Sequence, residues 1–227
     1  MTDPALEIVC LPNGRFAQNC YLAFDPRQPD AVLIDPGEEP ERFLAAVAQR
    51  GRRISAIWLT HAHLDHILGV SEIHAATGAP IYLHPADRTL YDELPQQGLW
   101  MELRLTRPPS PDYELAHGQR LAIGGIELEV RHVPGHSPGH VCFVAPGAVV
   151  SGDVLFEGSI GRIDLPGGDY DTLIASIRRE LLTLPDDTVV YPGHGASTTI
   201  GRERTTNPFL VGRPADLTDR PTPSRPA

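Results

Sequence analysis

Within Thr60-His61-Ala62-His63-Leu64-Asp65-His66, three histidines and one aspartate fall in the six positions 61 to 66. No other stretch constrains the fold so tightly. Before it runs Ile54-Ser55-Ala56-Ile57-Trp58-Leu59, a β-branched and apolar segment that reads as a buried strand. After it, Ile67 to Ala76 reads as a helix. The cluster therefore sits where a strand hands over to a helix, and in open α/β sheets such strand ends are where ligands bind. Imidazole and carboxylate are the ordinary ligands of zinc, non-haem iron and manganese. His61 and His63, two apart, can point the same way from an extended loop. Asp65 and His66 come as the chain turns and can face a different point, which suits two adjacent metal positions better than one.

Further donors recur in similar settings. Val133-Pro134-Gly135-His136-Ser137-Pro138-Gly139-His140 follows the strand-like Ile126 to Val130. Val149-Val150-Ser151-Gly152-Asp153 is an apolar strand ending in glycine and a carboxylate. Val189-Val190-Tyr191-Pro192-Gly193-His194-Gly195 ends a strand in Pro-Gly-His. Each donor follows a strand and has glycine nearby, which lets backbone come close to a ligand.

His-x-His-x-Asp-His followed by isolated His, Asp and His resembles the metallo-β-lactamase superfamily, over roughly residues 5 to 210. The resemblance implies an α/β fold, a four-layer αβ/βα sandwich of two mixed sheets with the metal site at the edge between them. It implies that His61, His63 and His136 hold a first divalent metal, that Asp65, His66 and His194 hold a second, and that Asp153 bridges. It also makes Asp35, in Asp35-Pro36-Gly37, a support for the metal loop, beside its simpler reading as a turn-capping aspartate.

A domain over 1–210 is expected, with a Pro-rich disordered tail over 211–227. Net charge of −10 argues against a basic nucleic-acid surface. No run reaches membrane-span length. Met1-Thr2-Asp3-Pro4 lacks the basic and apolar regions of a signal peptide, so a cytoplasmic protein is expected, as monomer or small homo-oligomer. Cys10, Cys20 and Cys142 read as buried thiols, not as a disulfide framework. His74 reads as solvated, and His84, His117, His132 and His140 as structural. Pro95 to Asp112 reads either as a flap over the site or as a surface excursion pinned by Trp100.

No motif places a side-chain nucleophile. The economical chemistry is metal-bound hydroxide attacking an acyl carbon, with Asp65 accepting a proton as well as binding metal. The flanks narrow the choice. Gly161-Arg162-Ile163-Asp164, Pro166-Gly167-Gly168-Asp169, Pro192-Gly193-His194-Gly195 and Asn207-Pro208-Phe209-Leu210 resemble compact glyoxalase II-like hydrolases, the hydroxyacylglutathione hydrolases. That implies zinc-dependent hydrolysis of S-2-hydroxyacylglutathione thioesters, such as S-lactoylglutathione. Iron and manganese suit the same donors. Two departures bear on glutathione: about thirty residues follow His194, with no helical domain to carry basic contacts, and Ile163 replaces an expected threonine. Arg162 is the candidate substrate anchor, or else an ion-pair partner of Asp164. Three other readings share the fold: a persulfide dioxygenase holding one iron with His61, His136 and Asp153, a lactonase or other ester hydrolase, and a non-catalytic binding protein.

Overall fold

The computed structural model describes residues 6–211; the N-terminal Met1–Pro4 and, apart from Val211, the expected tail lie outside them. The first half builds a six-stranded sheet in sequential order. Its strands are β1 (Glu7–Asn13), β2 (Gln18–Phe24), β3 (Asp30–Ile34), β4 (Arg53–Trp58), β5 (Ile81–Leu83) and β6 (Tyr113–Glu114). Helices α1 (Pro40–Gln49), α2 (Leu64–Ile67), α3 (Val70–Thr77), α4 (Arg88–Asp92) and α5 (Leu94–Leu99) accompany it. The second half contributes β7 (Arg120–Ile123), β8 (Ile126–His132), β9 (Val141–Ala145), β10 (Ala148–Gly152), β13 (Val189–Pro192) and β14 (Thr198–Thr199). A small hairpin, β11 (Leu155–Phe156) with β12 (Ser159–Ile160), lies between β10 and β13 in sequence. Helices α6 (Tyr170–Ser176), α7 (Ile200–Thr206) and α8 (Pro208–Val211) follow.

Alternation along the strands makes four layers. In β2, Cys20, Leu22 and Phe24 join Phe43, Val47, Ile67, Val70 and Ile73 of the first helical layer. Tyr21 and Ala23 point the other way, into a middle core shared with Leu128, Val130, Val141, Phe143 and Val150. Trp58 meets Phe143 there, with ring centroids 5.1 Å apart. In the second sheet Cys142 and Val149 face outward and pack on Leu173, Ile177 and Leu181. The fold is the α/β four-layer sandwich.

Strand direction puts the donors on one edge. β3, β4 and β5 run parallel. β8 and β10 both run antiparallel to β9, and β10 runs parallel to β13, so their carboxyl ends share a side. The two edges are joined where the Val141 N–H donates to the Thr60 carbonyl at 2.8 Å.

Several local readings are corrected. β1 runs through Pro12 and Asn13, a turn-prone pair in sequence, because an edge strand tolerates proline. Cys10, on that edge, is exposed, unlike buried Cys20 and Cys142. The helix expected from Ile67 starts at Leu64 and breaks at Gly69. Gly69 N–H donates to Pro36 O, and a side chain there would collide with Gly37 O. The helix that begins at Tyr170 turns from α-helix to a π turn over Ile177–Leu181. His74 is half-buried, its Nδ1 2.9 Å from Ala79 O, rather than solvated.

Candidate metal centre

The His61 loop, the first turn of α2 and the loops after β8, β10 and β13 converge on one edge. His61 Nε2 lies 3.3 Å from His136 Nε2, and His63 Nδ1 lies 2.8 Å from the same atom. Ligand nitrogens of a tetrahedral site with bonds of about 2.0–2.1 Å sit about 3.3 Å apart, which the His61–His136 spacing matches, while His63 lies closer. Beside them, His194 Nε2 lies 3.1 Å from Asp65 Oδ2, and His66 Nε2 lies 3.8 Å from the same oxygen. Asp153 spans both groups. Its Oδ2 is 3.7 Å from His136 Nε2 and 3.5 Å from His194 Nε2, and its Oδ1 is 3.3 Å from His66 Nε2. His61, His63 and His136 form one cluster with donor-atom spacing fit for a cation; Asp65, His66 and His194 form another.

Outer contacts fix which nitrogen faces inward. A carbonyl only accepts, so His136 Nδ1–H donates to Arg162 O at 2.8 Å and His194 Nδ1–H to Phe16 O at 3.1 Å. His66 Nδ1–H donates to Asp35 Oδ2 at 3.0 Å. The Thr60 hydroxyl donates to Asp35 Oδ2 at 2.6 Å, which leaves its oxygen to accept from His61 Nδ1–H at 3.0 Å. With Nδ1 donating outward, Nε2 of these four rings faces the cluster, the arrangement metal-ligating histidines need, whereas His63 turns its Nδ1 inward. Asp35 is therefore a support for the loop; it also accepts from Thr60 N–H at 2.7 Å.

Buried His63 Nε2, His66 Nε2 and Asp153 Oδ1 make no hydrogen bond, the last two facing each other at 3.3 Å. Orphaned polar atoms of this kind are costly unless something else binds them. The backbone is also cleared for them. A Cβ at Gly193 would lie 2.0 Å from Asp153 Oδ1, and one at Gly152, whose φ is +51°, 2.5 Å from Thr60 Oγ1. The donor set fits a divalent cation pair.

Electrostatics divides the cluster. Burial, helped by neighbouring rings, pushes His61 far below the usual imidazole range; burial takes His63 to about 3 and lowers His136. These rings stay neutral, the state that binds metal. Burial opposes charging His66 and His194 too, but Asp153 and Asp65 overcome it and raise both. Both carboxylates are held below the ordinary range against burial, chiefly by His66. This half attracts positive charge, proton or metal alike.

Supports absent from the sequence reading surround the donors. Buried Asp87 accepts from Ala62 N–H, Ser137 O–H and Gly139 N–H. Asn19 Nδ2 donates to Pro192 O and Gly195 O, on either side of His194. Gln97 Oε1 accepts from Leu64 N–H, and its Nε2 donates to Ala62 O. His140 is structural, as expected, but as an acceptor: its Nε2 receives Asp153 N–H at 3.0 Å. The Ser137 and Ser151 hydroxyls are spent on Asp87 and Leu155 O. Arg162 pairs through both Nε and Nη2 with Asp164 at 2.7 Å. It nonetheless lines a cavity of about 450 Å³ with His63, Asp65, His136, Asp153 and His194. Segment 95–112 reaches this cavity through Gln97, Trp100 and Met101.

A family model described as the metallo-beta-lactamase superfamily matches residues 13–194. The chain is 40% identical over 209 residues to hydroxyacylglutathione hydrolase GloC of Haemophilus influenzae, covering 90% of this chain and 98% of that one. Among solved structures it resembles the BLEG-1 B3 metallo-beta-lactamase, at 38% identity and a TM-score of 0.85, over 91% of this chain and 100% of the other. It also resembles TTHA1623 in a di-iron-bound form, at 46% identity and a TM-score of 0.82, over 89% of this chain and 100% of that one. Among the described residues no helix is long and apolar enough to cross a membrane.

Proposed function

Since the chain belongs to the metallo-β-lactamase superfamily, we propose that it hydrolyses glutathione thioesters, S-2-hydroxyacylglutathione such as S-lactoylglutathione, to glutathione and a 2-hydroxy acid. One observation carries the reading: two donor clusters share Asp153 and open on one cavity. His61, His63 and His136 would hold one metal, and Asp65, His66 and His194 the other, with Asp153 between. Zinc, iron and manganese all suit these donors, and the di-iron form of a relative keeps iron beside zinc as a candidate.

A bound pair of divalent metals supplies acidified water near neutral pH and polarises the carbonyl oxygen. The chain's own groups do the rest. Asp65 Oδ2, within hydrogen-bond reach of His194 Nε2, takes a proton from the attacking water. The water oxygen bonds to the acyl carbon, the C–S bond breaks, and the thiol leaves as thiolate. The Nδ1 anchors on Arg162 O, Phe16 O, Asp35 and Thr60 hold the rings still. Phe16, Phe156, Ile160 and Leu165 line the cavity and limit competing water. Arg162 meets a substrate carboxylate with the donors that Asp164 leaves free. The protein acts in the cytoplasm on a small molecule.

The test is loss of thioester absorbance from S-D-lactoylglutathione, with metal-stripped protein as control. Metal-dependent loss supports the reading. No loss from fully metallated protein, with turnover of glutathione persulfide and oxygen uptake instead, would move the assignment to a mononuclear iron dioxygenase. Turnover of lactones alone would move it to a lactonase, and a metal-free inert protein to a binding role.

A further inference from the structure

At the end of α5 the chain places large apolar side chains in water. Leu99, Trp100 and Met101 are 61%, 59% and 42% exposed. Single exposed apolar residues are ordinary, but a contiguous run beside a cavity marks a binding surface. Trp100 and Met101 line the same cavity as the metal donors, on a wall shared with Leu90.

This lip is held, not trailing. Gln97, buried one turn earlier, binds Ala62 O, Leu64 N–H and Leu90 O at 2.9–3.0 Å. Ala62 and Leu64 flank His63, so the lip keeps a fixed relation to the donor loop. A Cβ at Gly98 would lie 2.8 Å from Leu105 Cδ1, a measure of how closely the base is packed.

Cationic charge on the cavity wall is sparse. Among the described lining residues Arg162 is the one Lys or Arg, and Asp164 already takes two of its donors. Glutathione carries two carboxylates and an ammonium at neutral pH. One paired guanidinium recognises little of that pattern. Burial of an apolar group is the larger source of affinity here. Arg162 comes from the second half of the chain and the lip from the first. If Arg162 takes a thiol carboxylate, the apolar wall of Leu90, Trp100 and Met101 is left for the acyl substituent.

We infer that the Trp100–Met101 lip selects substrates by an apolar or aromatic acyl substituent, while the thiol half is read weakly. The inference rests on the thioesterase reading and narrows its substrate class.

S-Alkylglutathiones put an uncleavable alkyl chain where the acyl group would lie. Their affinity for the metallated full-length protein is measured by calorimetry and by tryptophan emission, since Trp58 is buried and Trp100 is not. From S-methyl to S-hexyl, Kd falls about two- to fourfold per methylene, the upper figure being full burial, and emission shifts to the blue. In the double variant Trp100→Ser, Met101→Ser the dependence falls below about 1.5-fold per methylene. Both side chains are largely exposed, and circular dichroism checks that the variant folds. Hexyl 2-hydroxyethyl sulfide binds within about tenfold of S-hexylglutathione.

A flat chain-length series overturns the inference, as does a preference for the glutathione ligand above a hundredfold. Self-association that the double variant abolishes, with a flat series, assigns the lip to a second copy of the chain and also overturns it. Thioester turnover with a flat series sinks this inference alone. A steep series with no thioester turnover sinks the reaction assigned above and leaves the lip's preference standing.

Discussion

Replacing Asp87 with alanine strips the acceptor from Ala62 N–H (3.1 Å), Ser137 O–H (2.8 Å) and Gly139 N–H (2.5 Å). Ala62 lies between His61 and His63, and Ser137 follows His136, so this carboxylate ties together the two loops that carry the three-histidine cluster. The serine hydroxyl can rotate toward another acceptor, but the two backbone donors cannot. Each buried donor left alone costs about 1–3 kcal/mol, or about 2–6 kcal/mol for the pair. Against this, burial raises the Asp87 acid above its ordinary range, so the charge is itself held at a cost that its removal returns in part. The net loss expected is about 2–4 kcal/mol. For a chain of this size that lowers the melting temperature by roughly 5–15 °C. Asp87→Asn, which keeps one acceptor oxygen, should lose about half as much. The assay is thermal and urea unfolding of metal-free protein, so that metal binding does not mask the change, followed by equilibrium dialysis of metal. Affinity at the three-histidine cluster should fall about tenfold or more. An Asp87→Ala protein within about 0.5 kcal/mol of the parent, below any of these terms, would refute the reasoning.

Asp153→Ala should lose metal from both clusters and nearly all activity; full metal content with normal turnover would remove the bridging assignment. Asn19→Ala frees Pro192 O and Gly195 O around His194. It should weaken binding at the Asp65–His66–His194 cluster about ten- to a hundredfold and spare the other, which two-step calorimetric titration would separate. Equal weakening of both steps would contradict it. Asp164→Asn releases the Arg162 guanidinium from an exposed ion pair and should lower KM for S-D-lactoylglutathione by up to about fivefold. Arg162→Ala should raise KM without lowering kcat. No change in either variant would leave Arg162 with a loop-fixing role only.

The candidate donors could be picked out because they follow strands β4, β8, β10 and β13, with Asp65 and His66 in the first turn of α2. The missing side chain of Gly193 leaves room for Asp153 and His66, and that of Gly152 leaves room for Thr60 and His140. The four layers came from the superfamily resemblance; Cys20 to Phe24 is apolar at every position, so the sequence did not show that its two faces feed different cores. The supports were not legible either. Asp87, Asn19 and Gln97 act on backbone groups 25, 173 and 35 residues away, and nothing local in the sequence marks such a partner. The break at Gly69 was hidden for the same reason, because it is imposed by Pro36 and Gly37 from another loop. Arg162 was read with two roles, and the structure shows the ion pair with Asp164 while leaving the residue on the cavity wall.

Metal-dependent thioester hydrolysis requires the two clusters to act as one site. Its most direct test is to strip the protein and return zinc, iron or manganese stepwise while following S-D-lactoylglutathione. Hydrolysis should rise with added metal and level off near two equivalents per chain. Two equivalents bound tightly, with the thioester untouched, would contradict it.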